Sequence, residues 1–202
     1  EHLNIPKLWK ALDLEGTQQT GDTGGLFDDT EEFVKPTGIY KEYFELLQVL
    51  KSEFIQAKTL GSLIQIDNKE LSKVVDLKAQ LEEKAQSPDP AAKQAALELM
   101  VILQQASCLA QKYDSVVTNP PYMGNNGMNT DIKAFAKQNY PTEKTDLYAI
   151  STKKFIKDVK TGGYIALMTP YTWMFINSYV SLRKFLIEEN TIQSLIQPEY
   201  HA

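Results

Sequence analysis

Two consecutive prolines, Pro120 and Pro121, stand directly after the β-rich run Tyr113-Asp114-Ser115-Val116-Val117-Thr118. Proline brings no N–H to a ladder and pushes the residue before it out of the helical region. The strand must therefore end at Thr118, and the chain leaves the sheet there with few conformations open to it. Downstream the pattern alternates. A loop runs through Gly124 and Gly127, and a short helix is predicted near 131–138. Leu147, Ile150, Phe155 and Val159 give helical spacing over 146–159, which Gly162-Gly163 is expected to stop. Tyr164-Ile165-Ala166-Leu167-Met168-Thr169 is nearly continuous in apolar residues, as in a strand covered on both faces. After Pro170, a helix over 178–189 and a further strand over 191–196 are expected. Strands alternating with helices argue for a mostly parallel sheet with covering helices.

Before residue 113 the periods are helical. Tyr40, Tyr43, Phe44, Leu47, Leu50 and Phe54 recur at steps of three and four, predicting a helix over 38–58 with Gly61 as its stop. Residues 62–66 read as a short strand, and 68–86 as a second helix. Asp89 is suited to cap, and Pro90 to begin, a third helix over 90–111. The last two helices form an αα-hairpin that packs on its own domain. Ile5-Pro6-Lys7-Leu8-Trp9 reads as a short extended piece, and 16–30, rich in Gly, Thr, Asp and Gln, as a loop.

Composition removes several function classes. The 202 residues carry 21 Lys and Arg against 26 Asp and Glu, a formal charge of −5. A non-specific nucleic-acid binder is usually basic, so bulk charge advertises no such role, although a local basic groove stays compatible. Cys108 is the single cysteine, and His2 and His201 are the two histidines. Neither an intramolecular disulfide nor a cysteine metal cluster can be assembled, and with both histidines near the ends no multi-histidine site or other metal is expected. No apolar run approaches a membrane span, and the first thirty residues do not resemble a signal peptide, so a reducing cytoplasmic setting is the expectation. The chain opens with Glu1 rather than Met and closes just after an apolar run, which reads as a piece of a longer protein.

The chemistry-bearing segment is Asn119-Pro120-Pro121-Tyr122. In open α/β sheets, ligands bind beyond the carboxyl ends of strands, which is where it stands. The Asn119 side chain and the Pro120 carbonyl supply acceptor oxygens, and the Tyr122 ring a flat stacking face. These parts suit a planar heterocycle bearing an amino group. Two acceptors, each taking one N–H, localise the amine's lone pair and stabilise the positive charge that grows as it attacks a methyl group.

This segment resembles the motif IV signature of amino-group methyltransferases that use S-adenosylmethionine. Taken with Asp146-Leu147-Tyr148 and Gly162-Gly163-Tyr164-Ile165-Ala166-Leu167-Met168-Thr169-Pro170, residues 113–197 resemble the large adenine-specific DNA methyltransferases, both type IIG restriction–modification enzymes and phage-defence enzymes of the BREX (PglX-like) type. The resemblance implies an α/β class: a partial Rossmann-like methyltransferase sheet over 113–197, preceded by a mainly helical segment over 1–112. It implies methyl transfer to the amine of an adenine flipped out of double-stranded DNA, with other restriction or defence-system subunits as further partners. Asn119 and Pro120 would hold the amine, Pro121 would complete the rigid turn, and Tyr122 would stack on the base. Asp146 is a candidate pocket residue, as are Tyr171 and Trp173, for which core packing is an equal reading.

The cofactor motif of such families precedes the Asn-Pro-Pro-Tyr. The one cluster before it here, Gly21-Asp22-Thr23-Gly24-Gly25, lacks strand–turn–helix context and reads as a loop, which places the glycine-rich motif upstream of Glu1. Three alternatives remain open: methylation of guanine amines in RNA, methylation of a protein glutamine amide, and a non-catalytic interaction module retaining the fold. Cys108 reads as a buried structural thiol. Lys153, Lys154, Lys157 and Lys160 read as a solvated helix face rather than a phosphate contact. Asn125, Asn126 and Asn129 fit a mobile polar loop.

Overall fold

A computed structural model of the chain describes residues 3–15 and 35–197. The sequence-predicted loop at 16–30, with its glycine cluster at 21–25, lies outside the described residues. The chain divides into two units, Glu1–Gln111 and Lys112–Ala202.

The first unit is helical. Helix α1 (Ile5–Leu12) occupies the stretch expected to be extended. The Asn4 carboxamide accepts the Lys7 N–H at 3.1 Å, and Pro6 sits in the first turn, where its fixed φ suits a helix. The helix buries Ile5, Trp9 and Leu12. Helix α2 (Gly38–Phe54) and the single turn α3 (Ala57–Leu60) cover the first predicted helix. Gly61, at φ +52°, ends α3 as expected. Residues 62–66 are not a strand. A 3₁₀ turn spans Gly61–Leu63, and Leu63 and Ile64 are buried with no strand beside them to pair with among the described residues.

Helices α4 (Leu71–Lys84) and α5 (Pro90–Ala110) pack on each other, and α1 packs on α5 and α2. Asp89 caps α5 by accepting the N–H groups of Ala91 and Ala92 at 3.0 and 3.3 Å. Leu47, Leu50, Leu77, Leu81, Leu99 and Leu103 fill the core. Full burial of each such side chain contributes about 1.5–3 kcal/mol. Cys108, expected to be buried, is exposed. It lies on the outward side of α5, away from the stripe formed by Leu99, Leu103, Ala106 and Ala110.

The second unit holds a two-stranded parallel sheet, β1 (Tyr113–Thr118) beside β2 (Val159–Leu167). Helices α6 (Thr130–Asn139) and α7 (Leu147–Asp158) lie between the strands in sequence. Helix α7 passes into β2 with no intervening residue. Gly162-Gly163 therefore does not stop the helix; it lies inside the strand. The register runs from Tyr113↔Val159 to Ser115↔Tyr164, so two steps along β1 match five along β2, and the glycines sit in that irregularity. Gly162 takes φ +80°, and a Cβ on Gly163 would fall 2.6 Å from the Asp114 carbonyl oxygen. Only glycine fits that close approach.

The sheet is not covered on both faces as expected. Val116, Ile165 and Leu167 are half-buried, whereas Val117, Tyr164 and Met168 are exposed, Val117 at 80%. Residues 191–196 form no strand, because no edge offers them a ladder among the described residues. Helix α8 (Val180–Glu188) replaces most of the last predicted helix. It packs Leu182 with Tyr148, Ala149, Trp173 and Tyr179 in a small core. Arg183 ties the preceding turn by donating to the carbonyls of Trp173 and Ile176 at 2.6 and 2.8 Å.

Candidate active site

Asn119, Pro120, Pro121 and Tyr122 follow β1 directly. The Thr118 carbonyl accepts the Met168 N–H at 3.1 Å, so the last residue of β1 stays tied to the chain beyond β2. Pro120 is buried, while Asn119, Pro121 and Tyr122 are exposed, Tyr122 at 51%. The turn thus anchors through one proline and presents its polar and aromatic side chains outward. The Tyr122 hydroxyl donates to Asn119 Oδ1 at 2.8 Å, so the carboxamide and the ring form one unit. An amide oxygen has two lone pairs, which leaves one for another donor. The Pro120 carbonyl takes no backbone hydrogen bond among the described residues.

The segment after Tyr122 is clasped. Gly124 bridges Asp146 in antiparallel fashion, the Leu147 N–H donates to the Met123 carbonyl, and the Asn125 N–H to the Thr145 carbonyl, each hydrogen bond at 2.9 Å. Asp146 closes the clasp. Its Oδ1 accepts the Tyr148 N–H at 3.1 Å, capping α7. Burial pushes the Asp146 carboxyl above the ordinary carboxylate range, opposed by the N–H groups of Tyr148, Met123 and Leu147. Asp146 is therefore engaged in holding the loop that follows the proline turn.

Tyr148 is the residue that sequence reasoning missed. It is 1% exposed, its ring meets the Tyr122 ring edge-on (centroids 6.2 Å apart, planes at 87°), and its other side packs on Tyr179 at 5.4 Å. Its hydroxyl is buried beside the side chains of Tyr179 and Thr172, with no hydrogen bond of full geometry to either. Burial raises its pKa well above the tyrosine range, with Tyr179 adding to the rise and Thr172 opposing it. The available signal was Asp146-Leu147-Tyr148 itself, a capping residue followed two positions later by an aromatic on the inner face.

Of the remaining candidates, Trp173 is buried in the core with Tyr148, and Tyr171 is exposed with its ring against Phe175. A groove of about 1040 Å³ reaches Tyr148 and Trp173 but none of residues 119–122, of which Asn119, Pro121 and Tyr122 stand on open surface. Asn129 is occupied capping α6, accepting the Ile132 N–H at 2.9 Å, while Asn125 and Asn126 are exposed.

The lysines do not form a solvated face. Lys154 is buried against Asp158, and Lys153 donates to buried Glu143 at 2.8 Å and lies over the Phe185 ring. Lys160 lies on β2 and pairs with Asp114, and Lys112 donates to the Lys157 carbonyl. Two lysines of α7 are thus held by carboxylates, Lys153 by buried Glu143 and Lys154 by Asp158 one turn on. Among the described residues no group of His, Cys, Asp and Glu is placed to hold a metal ion, and no helix is long and apolar enough to cross a membrane.

Residues 46–201 match the family described as Eco57I restriction-modification methylase. The chain belongs to that family. This Eco57I-family chain is 38% identical over 189 residues to the adenine-specific methyltransferase BrxX of Escherichia coli O9:H4 (strain HS), covering 94% of this chain and 15% of that protein. It is 32% identical over 136 residues to the adenine-specific methyltransferase PglX of Lacticaseibacillus casei (strain Zhang), covering 65% of this chain and 11% of that protein. The chain thus spans about a sixth or less of the length of these relatives.

Proposed function

We propose that this Eco57I-family chain is the part of an adenine-specific DNA methyltransferase that grips the exocyclic amine of the target base, in a restriction–modification or phage-defence setting. The supporting observation is the exposed Asn119–Tyr122 pair, hydrogen-bonded at 2.8 Å on a turn anchored by buried Pro120. Asn119 Oδ1 and the Pro120 carbonyl each accept one amine N–H, and Tyr122 stacks on the ring. Acceptors fixed in advance stabilise the developing positive charge without reorganising. The base reaches them by leaving the duplex, since paired adenine has its amine engaged. Pro121 keeps the turn rigid. Asp146, through the loop it clasps, and exposed Tyr171 flank the open surface that receives the base, while Trp173 supports it from the core.

In this reading, β1 and β2 are two strands of a larger Rossmann-like methyltransferase sheet. Residues 113–202 are the C-terminal half of the catalytic domain, and 1–112 are the helical segment preceding it. S-adenosylmethionine supplies the methyl group. Among the described residues the stretch that joins a strand directly to an α-helix is 119–129, which holds the Asn-Pro-Pro-Tyr segment, so no residue is assigned to the cofactor.

The test uses the intact protein, tritiated S-adenosylmethionine and three substrates: DNA lacking N6-methyladenine, RNA and protein. Label in DNA adenine is expected, and Asn119→Ala should cost about 10²–10³-fold in rate, the scale for removing one preorganised partner of developing charge. Label in RNA guanine or in a protein glutamine would replace the substrate class. Undiminished activity in Asn119→Ala would remove the assigned role.

A further inference from the structure

The stacking role asks only for the Tyr122 ring, which phenylalanine would supply equally well, yet the hydroxyl makes the one hydrogen bond joining the two site side chains. A carboxamide has an oxygen end and an NH₂ end of nearly equal shape. On open surface the rotation that exchanges them is soft, because the terminal torsion of asparagine is broad. Turned the wrong way, Asn119 would present N–H donors to an amine that itself needs an acceptor.

A phenol breaks this symmetry. Its O–H is a good donor, while its oxygen lone pair is drawn into the ring and accepts poorly. Donation from Tyr122 therefore favours the oxygen-first orientation and occupies one lone pair of Oδ1, leaving the second for the base. The hydroxyl can do this only if the ring is fixed from behind. Tyr148 provides that fixation: it is buried, meets the Tyr122 ring edge-on at 6.2 Å, and is backed by Tyr179. The clasp at Met123, Gly124 and Asp146 holds the backbone just beyond.

We infer that the Tyr122 hydroxyl is a positioning group that sets the Asn119 carboxamide oxygen-first toward the substrate amine, a task separable from stacking by the Tyr122 ring. The inference rests on the proposed reading of Asn119 as the amine acceptor.

The experiment compares Tyr122→Phe, Asn119→Asp and the double variant in the intact protein on DNA lacking N6-methyladenine. Single-turnover rates with enzyme in excess keep slow variants measurable, and DNA affinity is measured alongside. Tyr122→Phe should lower the rate about tenfold, the worth of one hydrogen bond, with DNA affinity changed less than about twofold. A carboxylate has oxygen at both ends, so orientation ceases to matter. In the Asn119→Asp background, Tyr122→Phe should change the rate less than about twofold. A wild-type rate in Tyr122→Phe, or an equal loss in both backgrounds, overturns the positioning role. Failure of the underlying reading looks different: the unmodified protein would leave DNA adenine unlabelled, or Asn119→Ala would keep its rate.

Discussion

Replacing Asp146 separates its cap from its charge. Asp146 Oδ1 accepts the Tyr148 N–H at 3.1 Å, the first hydrogen bond of α7. Asn offers the same acceptor oxygen and is an equally good cap, whereas Ala offers none. Asp146→Ala should cost about 1 kcal/mol, within the 0.5–2 kcal/mol span of lost N-caps, and Asp146→Asn should stay within about 0.5 kcal/mol of the parent at neutral pH. The charge adds a pH signature. Burial raises the Asp146 pKa in the folded state above its unfolded value near 3.8. The folded protein then binds the proton more readily than the unfolded one, so this contribution is fully present below the unfolded pKa and lost as pH rises through the folded pKa. The parent should gain stability relative to Asp146→Asn as pH falls from 7 toward 4, since Asn cannot titrate. The assay is urea unfolding read by Trp173, which packs beside Tyr148, in a Trp9→Phe background that leaves Trp173 as the sole tryptophan of these 202 residues. An Asp146→Ala variant as stable as the parent, or a gain on raising pH, would refute the reasoning. A stable Asp146→Asn protein that no longer methylates DNA would instead give Asp146 direct contact with substrate.

Tyr148→Phe removes a buried hydroxyl that makes no hydrogen bond of full geometry with its neighbours Tyr179 and Thr172 and keeps both ring contacts, so it should raise stability by about 1 kcal/mol in the same assay. A loss of stability would mean that the hydroxyl is satisfied in solution. Asp89→Ala leaves two N–H groups of α5 uncapped and should destabilise the first unit by about 1 kcal/mol, measured by thermal unfolding of the helical signal, with Asp89→Asn close to the parent.

Short-range signals were the legible ones. Asp89 before Pro90, the amphipathic steps from Tyr40 to Phe54, and the proline pair after Thr118 each fix their own neighbourhood, and the structure has a cap, a helix and a strand end there. Where the outcome depends on a distant partner, sequence misled. The run at 191–196 has strand-like residues but no ladder to join, and the apolar residues of β2 suggested two covered faces where one is open. Gly162-Gly163 resembled a helix stop because a glycine pair looks the same whether it ends a helix or lets two strands touch. Ile5 to Trp9 is too short to show a period, and its helix rests instead on the capping Asn4 and on Pro6 in the first turn. Within the candidate site, the three-residue spacing of Asn119 and Tyr122 puts them on one turn, and the structure joins them by a hydrogen bond. Tyr148 was not, because what matters there is one ring's approach to another across 26 residues of chain.

The junction at Asp158 and Val159, where α7 becomes β2 without a linker, constrains how this unit can change in length. One residue added at that point would turn the helix by about 100° relative to the strand, or else reverse which side of the sheet every later β2 side chain occupies. Insertions and grafted segments should therefore be refused at this seam.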